Sequence, residues 1–221
     1  MLALWTAAAL GQTTFEASSI RPSDPAKAES FRRASPGRLS VQNMSLKSLV
    51  AAFYNVKEYQ VLGGPGWVDS DRFDIAAKMP ASAPPTGEAL TNAARALLAE
   101  RFRLVLHEDS RPMAGFVLVA EKSGLKVKPA AGDGSSNIWT GKTQMKAVGL
   151  TMERLASSLA TIVDAPVVDE TGIAGTYDFT FEWTVEDGIG PALSVFGLKL
   201  ERRKVPTKVL TIERAERPEA N

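Results

Sequence analysis

Cysteine is absent from all 221 residues. That removes disulfides, thiol nucleophiles and the usual thiolate zinc sites. Histidine is nearly absent: with His107 alone, no Ser-His-Asp set exists that does not use it. An excess of charge of one sign is missing too. Lys and Arg total 26 against 25 Asp and Glu, a net charge of +1, so the chain has no global basic field to hold nucleic acid. Nor does any apolar run approach the ~20 residues of a membrane-spanning helix. The run at residues 2–10 is too short for that and suits the apolar core of a secretory signal, with Ala9 and Gly11 as small residues before a cut near Gln12. The positive residues that usually precede such a core are missing. Residues 1–11 are therefore read as a curtailed signal peptide, and the mature chain is expected to be periplasmic or secreted.

What remains is the composition of a folded protein, 44% hydrophobic and 23% charged. Two segments punctuate it as linkers, MPASAPPTGE at 79–88 and PAAGDGSSNIWTG at 129–141. On either side of the second, the halves resemble each other. Leu46, Leu49, Val50 and Phe53 fall on one helical stripe, as do Met152, Leu155, Ala156 and Leu159. Ser45 and Thr151 stand where an N-cap accepts from first-turn amides, and Met44 with Leu49, like Leu150 with Leu155, has the spacing of a hydrophobic staple. Each helix is followed by a β-branched run and then by period-two alternation, through Phe73, Ile75 and Ala77 and through Tyr177, Phe179, Phe181 and Trp183. A second helix follows, long at ALTNAARALLAER and short at GPALSVFG, and each half closes on a segment that reads as a hairpin with Arg, Pro and charged residues at its turn.

The expected fold is therefore α+β, with mainly antiparallel sheets and helices packed on one face, in two similar β-α-β-β-α-β-β units. The units span residues 39–129 and 145–217. Residues 12–38 supply an N-terminal edge strand and loop, 130–144 a linker, and 218–221 a tail.

The stretch VLGGPGWVDSDRFDIAAK, Val61–Lys78, gathers three glycines, a tryptophan and three aspartates. It lacks the GxxxxGK[ST] of a phosphate loop, and its glycines do not lead directly into a helix. Asp69, Asp71 and Asp74 hint at calcium, but the EF-hand glycine and distal glutamate are missing, and solvated turn carboxylates are the plainer reading. The matching segment VVDETGIAGTYDFTFEW in the second half argues for a turn in both places. Trp67 reads as a core anchor of that turn and His107 as a solvated residue at a strand end. Glu182 with Glu186, and Glu108 with Asp109, have nothing that marks them as a catalytic carboxylate pair. Arg202, Arg203 and Lys204 lie at a predicted hairpin turn, where basic residues block edge pairing; binding of an anionic surface is the other reading. No catalytic, cofactor-binding or metal-ligating residue is assigned, and no cofactor is expected.

Taken in order, FEASSIRPS, NMSLKSLVAAFYNV, GGPGWVDSDRFDIAAK, LLAERFRLVLHED, PVVDETGIAGTYDFTFEW and FGLKLERRK with VLTIERAERPEAN resemble a large family of exported acidobacterial proteins, the domain of unknown function 3738. The resemblance runs from Phe15 nearly to the end. It implies export without an activity. The chain departs from the family pattern in its short leader and in the brevity of the helix around Pro191–Phe196. The order of elements and motifs such as SLKSLV also resemble the short N-terminal docking domain of secretins and TonB-dependent receptors, a likeness of fold alone. The functional expectation is a non-enzymatic module that docks an envelope protein partner. The alternative is a sensor of a small molecule or cell-wall fragment, with a hydrolase using Asp69, Asp71, Asp74 or His107 behind both. Neither nucleic acid nor a stable membrane span is expected.

Overall fold

The structure, a computed structural model, describes residues 14–24, 26, 29–83, 86–127, 129–130 and 136–219. The curtailed leader expected at 1–11 lies outside them. The chain opens with strands β1 (Ala17–Pro22), β2 (Phe31–Ser35) and β3 (Arg38–Ser45), then helix α1 (Leu46–Tyr54), β4 (Val61–Gly63), the single turn α2 (Trp67–Ser70), β5 (Arg72–Lys78) and α3 (Gly87–Arg101). It continues through β6 (Val105–Ala120), β7 (Asn137–Thr140), β8 (Gln144–Leu150), α4 (Met152–Ile162), β9 (Val167–Asp169), β10 (Tyr177–Glu182), α5 (Gly190–Val195) and β11 (Leu198–Arg214). The architecture is α+β with mainly antiparallel sheets. The strand orders are β1-β5-β3-β2, β10-β8-β7 and β4-β11-β6-β9, and the pairs β4–β11 and β6–β9 are parallel.

The chain divides into two compact units. One comprises Met1–Asp109 with Lys208–Asn221, the other Ser110–Thr207. Both divisions fall inside the long strands β6 and β11 and not in the Gly- and Ser-rich segment at 130–144, part of which forms β7. The reason lies in the parallel pairs. Val61–Gly63 finds its partner in Leu210–Ile212 at the far end of the chain, and Val167–Asp169 finds its partner in Phe116–Leu118.

In the first unit, α1 begins where Ser45 Oγ accepts from the Ser48 amide at 3.1 Å, satisfying one of the free first-turn donors. Its stripe of Leu46, Leu49, Val50 and Phe53 is buried to 2% exposure or less, worth about 1.5–3 kcal/mol for each large side chain removed from water. It ends at Asn55, whose left-handed φ of 54° lets the Val56 amide return to the Ala51 carbonyl at 3.0 Å. Thr86 caps α3 in the same way, and Leu90, Ala93, Ala94, Leu97 and Leu98 face the core. Arg95 joins the helices: its Nε donates to the Phe53 carbonyl at 2.8 Å, and its guanidinium lies 4.8 Å from the Tyr54 ring centre.

The second unit repeats several of these devices. Thr151 Oγ1 accepts from the Arg154 amide, and Met152, Leu155, Ala156 and Leu159 are buried. Tyr177, Phe179 and Phe181 point inward from β10 while Asp178, Thr180 and Glu182 point out. Phe179 and Phe181 stack at 5.4 Å, and each meets the edge of Phe196, at 5.6 and 4.8 Å. The short helix expected at GPALSVFG is the single-turn α5.

The two closing hairpins are a correction. Val105–Ala120 and Leu198–Arg214 are each one unbroken strand, so neither stretch folds back on itself. A tight hairpin turn needs a residue at positive φ, and none of the left-handed residues falls between 104 and 123 or between 198 and 214. The prolines and charges that read as turn residues stand on exposed positions of these extended strands.

Candidate functional site

The sheet β1-β5-β3-β2 ends on β2, a five-residue strand exposed along its whole length. Pro36 and Gly37, the latter at φ 69°, turn the chain from β2 into β3. The register pairs Phe31 with Gln42, Arg32 with Val41, Arg33 with Ser40, Ala34 with Leu39 and Ser35 with Arg38. Val41 and Leu39 are buried, so Arg32 and Ala34 share the face toward the core and Phe31, Arg33 and Ser35 the opposite face. Arg32 lies over the Phe53 ring at 5.4 Å and Arg33 over Phe31 at 5.8 Å. Among the described residues, no strand pairs with the outer side of β2.

Across the outer face, register aligns Ser19, Ala76, Ser40 and Arg33 in one row, and beyond it pairs Arg21 with Asp74 and Gln42 with Phe31. Small side chains in the first row leave a shallow trough of about 430 Å³ lined by Ser19, Arg21, Ser40, Gln42, Asp74 and Ala76.

The aspartates singled out in the sequence go to separate partners. Asp69, in α2, pairs with Lys47 at 2.9 Å. Asp71 pairs with Arg217 Nε at 2.8 Å. Asp74 Oδ1 accepts from the Ser23 hydroxyl and, at 2.9 Å, from the Asn43 amide. Asn43 is left-handed at φ 55° and sits where the β3–β5 register slips between Val41 and Met44, so Asp74 ties down the extra residue of a β-bulge. Asp178 does the same in the second unit, accepting from the Gly149 amide at 2.8 Å beside a register slip in β10–β8. Among the described residues, no group of three or more acidic or histidine side chains is arranged to hold a metal ion.

Trp67 packs against Phe73 and Phe102 at 6.2 and 6.4 Å, and Arg217 covers its ring at 5.4 Å. The turn around Gly63 and Gly64 needs both glycines: φ is 72° and 80°, and a Cβ on either would stand 3.1 Å from Ile212 atoms. His107 is exposed within β6, 4.0 Å from Glu213, and Glu108 pairs with Lys208. Glu182 points outward from β10, while Glu186 lies in the turn that Thr184 and Asp187 close. Arg202, Arg203 and Lys204 are mid-strand in β11 and not at a turn. Arg203 bonds both Glu170 and Glu201, and Arg202 lies 6.0 Å from the Phe116 ring centre. Hydrogen bonds from Lys199 and Arg203 lower the Glu201 pKa, and the bond Arg203 donates to Glu201 raises its own. Burial raises the Tyr54 phenol, with Arg95 pulling the other way.

Residues 12–38, expected as one edge strand and loop, form two strands, and Phe31, Arg32 and Arg33 of the second carry no mark in the sequence pattern. The available signal was the Pro36–Gly37 dipeptide, a turn marker between two extended runs.

A protein-family model described as a protein of unknown function (DUF3738) matches residues 47–215. No curated protein and no solved structure matches the chain. Among the described residues, no helix is long and apolar enough to cross a membrane.

Proposed function

The chain belongs to the DUF3738 family of proteins of unknown function, and we propose that it acts as a non-enzymatic docking module, periplasmic or secreted, that takes up an envelope protein partner by adding a strand to β2. The observation that carries this reading is the edge itself, Phe31–Ser35, exposed throughout and paired on one side only among the described residues. An edge strand presents a row of unbonded backbone donors and acceptors, and an extended segment satisfies them without any catalytic group. The scarcity of histidine and cysteine agrees with a role that rests on backbone pairing. The proposal of export rests on the apolar run at residues 2–10.

The test compares wild type with Arg33→Pro and Ala34→Pro. Successive amides of a strand point to opposite sides, so one of the two variants removes an outward donor. Each protein is immobilised and exposed to detergent-solubilised envelope. A protein retained by wild type and lost from one variant, with circular dichroism unchanged, supports the reading. Equal retention by all three, or retention by none, counts against it.

The trough on the same sheet favours a second reading, a small polar ligand held on the outer face. A thermal-shift panel of envelope metabolites tests it, because a ligand that binds only the native state raises the melting temperature.

A further inference from the structure

We infer that the strand taken up at β2 is acidic, with adjacent carboxylates meeting Arg32 and Arg33; this rests on the strand-addition reading above. The run FRRASPGRLSVQ, Phe31–Gln42, carries Arg32, Arg33 and Arg38 and no acidic residue. Three arginines elsewhere meet carboxylates: Arg203 with Glu170 and Glu201, Arg214 with Glu216, Arg217 with Asp71. Among the described residues, no carboxylate pairs with Arg32, Arg33 or Arg38. On the edge that is open to a strand, Arg32 and Arg33 thus stand without anions among the described residues.

The register defines the shape of the complement. Arg32 lies on the core-side face and Arg33 on the outer face, and Arg38, opposite Ser35, adds a second cation to the outer face. Residues directly across a strand pair have Cβ atoms about 4.5–5.5 Å apart, within reach of a bidentate guanidinium–carboxylate pair. Successive side chains of a strand point to opposite faces. One carboxylate for Arg32 and one for Arg33 therefore come from neighbouring residues of the incoming segment. An apolar residue two positions from the outward carboxylate covers Phe31, which is 39% exposed.

The same geometry disfavours other occupants. Antiparallel pairing of β2 with β2 of a second copy, centred on the strand, sets Arg33 against Arg33, and like charges directly opposite are destabilising. A flexible polyanion laid on one face meets Arg33 and Arg38 or else Arg32. Only a strand in the plane of the sheet meets both sets.

The experiment measures fluorescence anisotropy of short labelled peptides against the full chain. The probes are a strand-forming peptide with a central Glu-Glu pair, its Gln-Gln and Lys-Lys counterparts, and the Glu-Glu peptide N-methylated at alternate residues. The Glu-Glu peptide is expected to bind about tenfold or more tightly than the Gln-Gln peptide, with the difference shrinking as salt rises. The double variant R32E/R33E is expected to reverse the preference toward Lys-Lys. Because Arg32 rests on Phe53, R33E/R38E serves as the second variant, and both are checked for native circular dichroism. Equal binding of the Glu-Glu and Gln-Gln peptides overturns the acidic complement and leaves strand addition standing. Undiminished binding of the N-methylated peptide overturns strand addition, and the inference with it. Displacement by inorganic polyphosphate at matched charge, as effective as the free Glu-Glu peptide, assigns the arginines to a polyanion and overturns the inference. Binding of no peptide to folded protein overturns both.

Discussion

Asp74 shows how a residue that looks chemical in sequence is consumed by folding. Its carboxylate holds the amide of Asn43, which sits at the β-bulge where the β3–β5 register slips. A hydrogen bond to a charged group contributes about 1.5–3 kcal/mol, less where solvent reaches it. Asp74→Ala is therefore expected to lower stability by about 1–2 kcal/mol, while Asp74→Asn, which keeps an acceptor, loses less; urea melts of the three proteins check the order. Tyr54 gives a pH signature. Burial raises its pKa above that of an ordinary tyrosine, so the folded chain holds the proton more tightly than the unfolded chain. The stabilisation is complete below the unfolded value, about 10, and is lost as pH rises through the folded one. A phenolate absorbance titration is expected to show a late step that Tyr54→Phe abolishes, with stability falling over the same alkaline range. A step absent from wild type contradicts the assignment.

At the scale of elements, the exit from α5 is the tightest spot. Gly197 has φ 72°, and a Cβ there would stand 2.0 Å from the Gly124 carbonyl oxygen. Gly197→Ala is expected to cost more than the ~1–2 kcal/mol of a left-handed alanine, because backbone must also move. Thermal melting measures it, and a loss below that range would mean the two loops separate easily. Arg103, at φ 48° after α3, bears a side chain in the same backbone conformation. Helices α1 and α4 were legible because stripe and cap agree in each, and α3 from its stripe alone, since Thr86–Glu88 read as linker but cap and open the helix. β6 and β11 were not legible as single strands, because Arg, Pro and charge in SRPM and ERRKVP carry turn chemistry in sequence. In the fold one of those charges, Arg203, bonds Glu170 and Glu201. The candidate edge was hidden for a related reason. FRRAS shows no apolar alternation, since its core-facing positions are filled by Arg32 and Ala34.

At the scale of the whole molecule, chain order and compact unit part company, and that is testable by dissection. Lys208–Arg214 belongs to the first unit. There Leu210 and Ile212 join the core at 4% and 3% exposure, and Leu210 pairs with Val61. A fragment 14–129, cut where the sequence invites a boundary, loses these side chains and leaves Val61–Gly63 without its parallel neighbour. Each lost core side chain removes about 1.5–3 kcal/mol, against a net stability on the order of 5–15 kcal/mol for a domain. The fragment is expected to lack a cooperative thermal transition. Fragment 110–207 retains the pairing of Phe116–Leu118 with Val167–Asp169 and the core around Phe179, Phe181 and Phe196, and is expected to melt cooperatively. Circular dichroism melts of the two fragments decide the matter. A sharp transition in 14–129 would mean that the first unit is complete without the last strand.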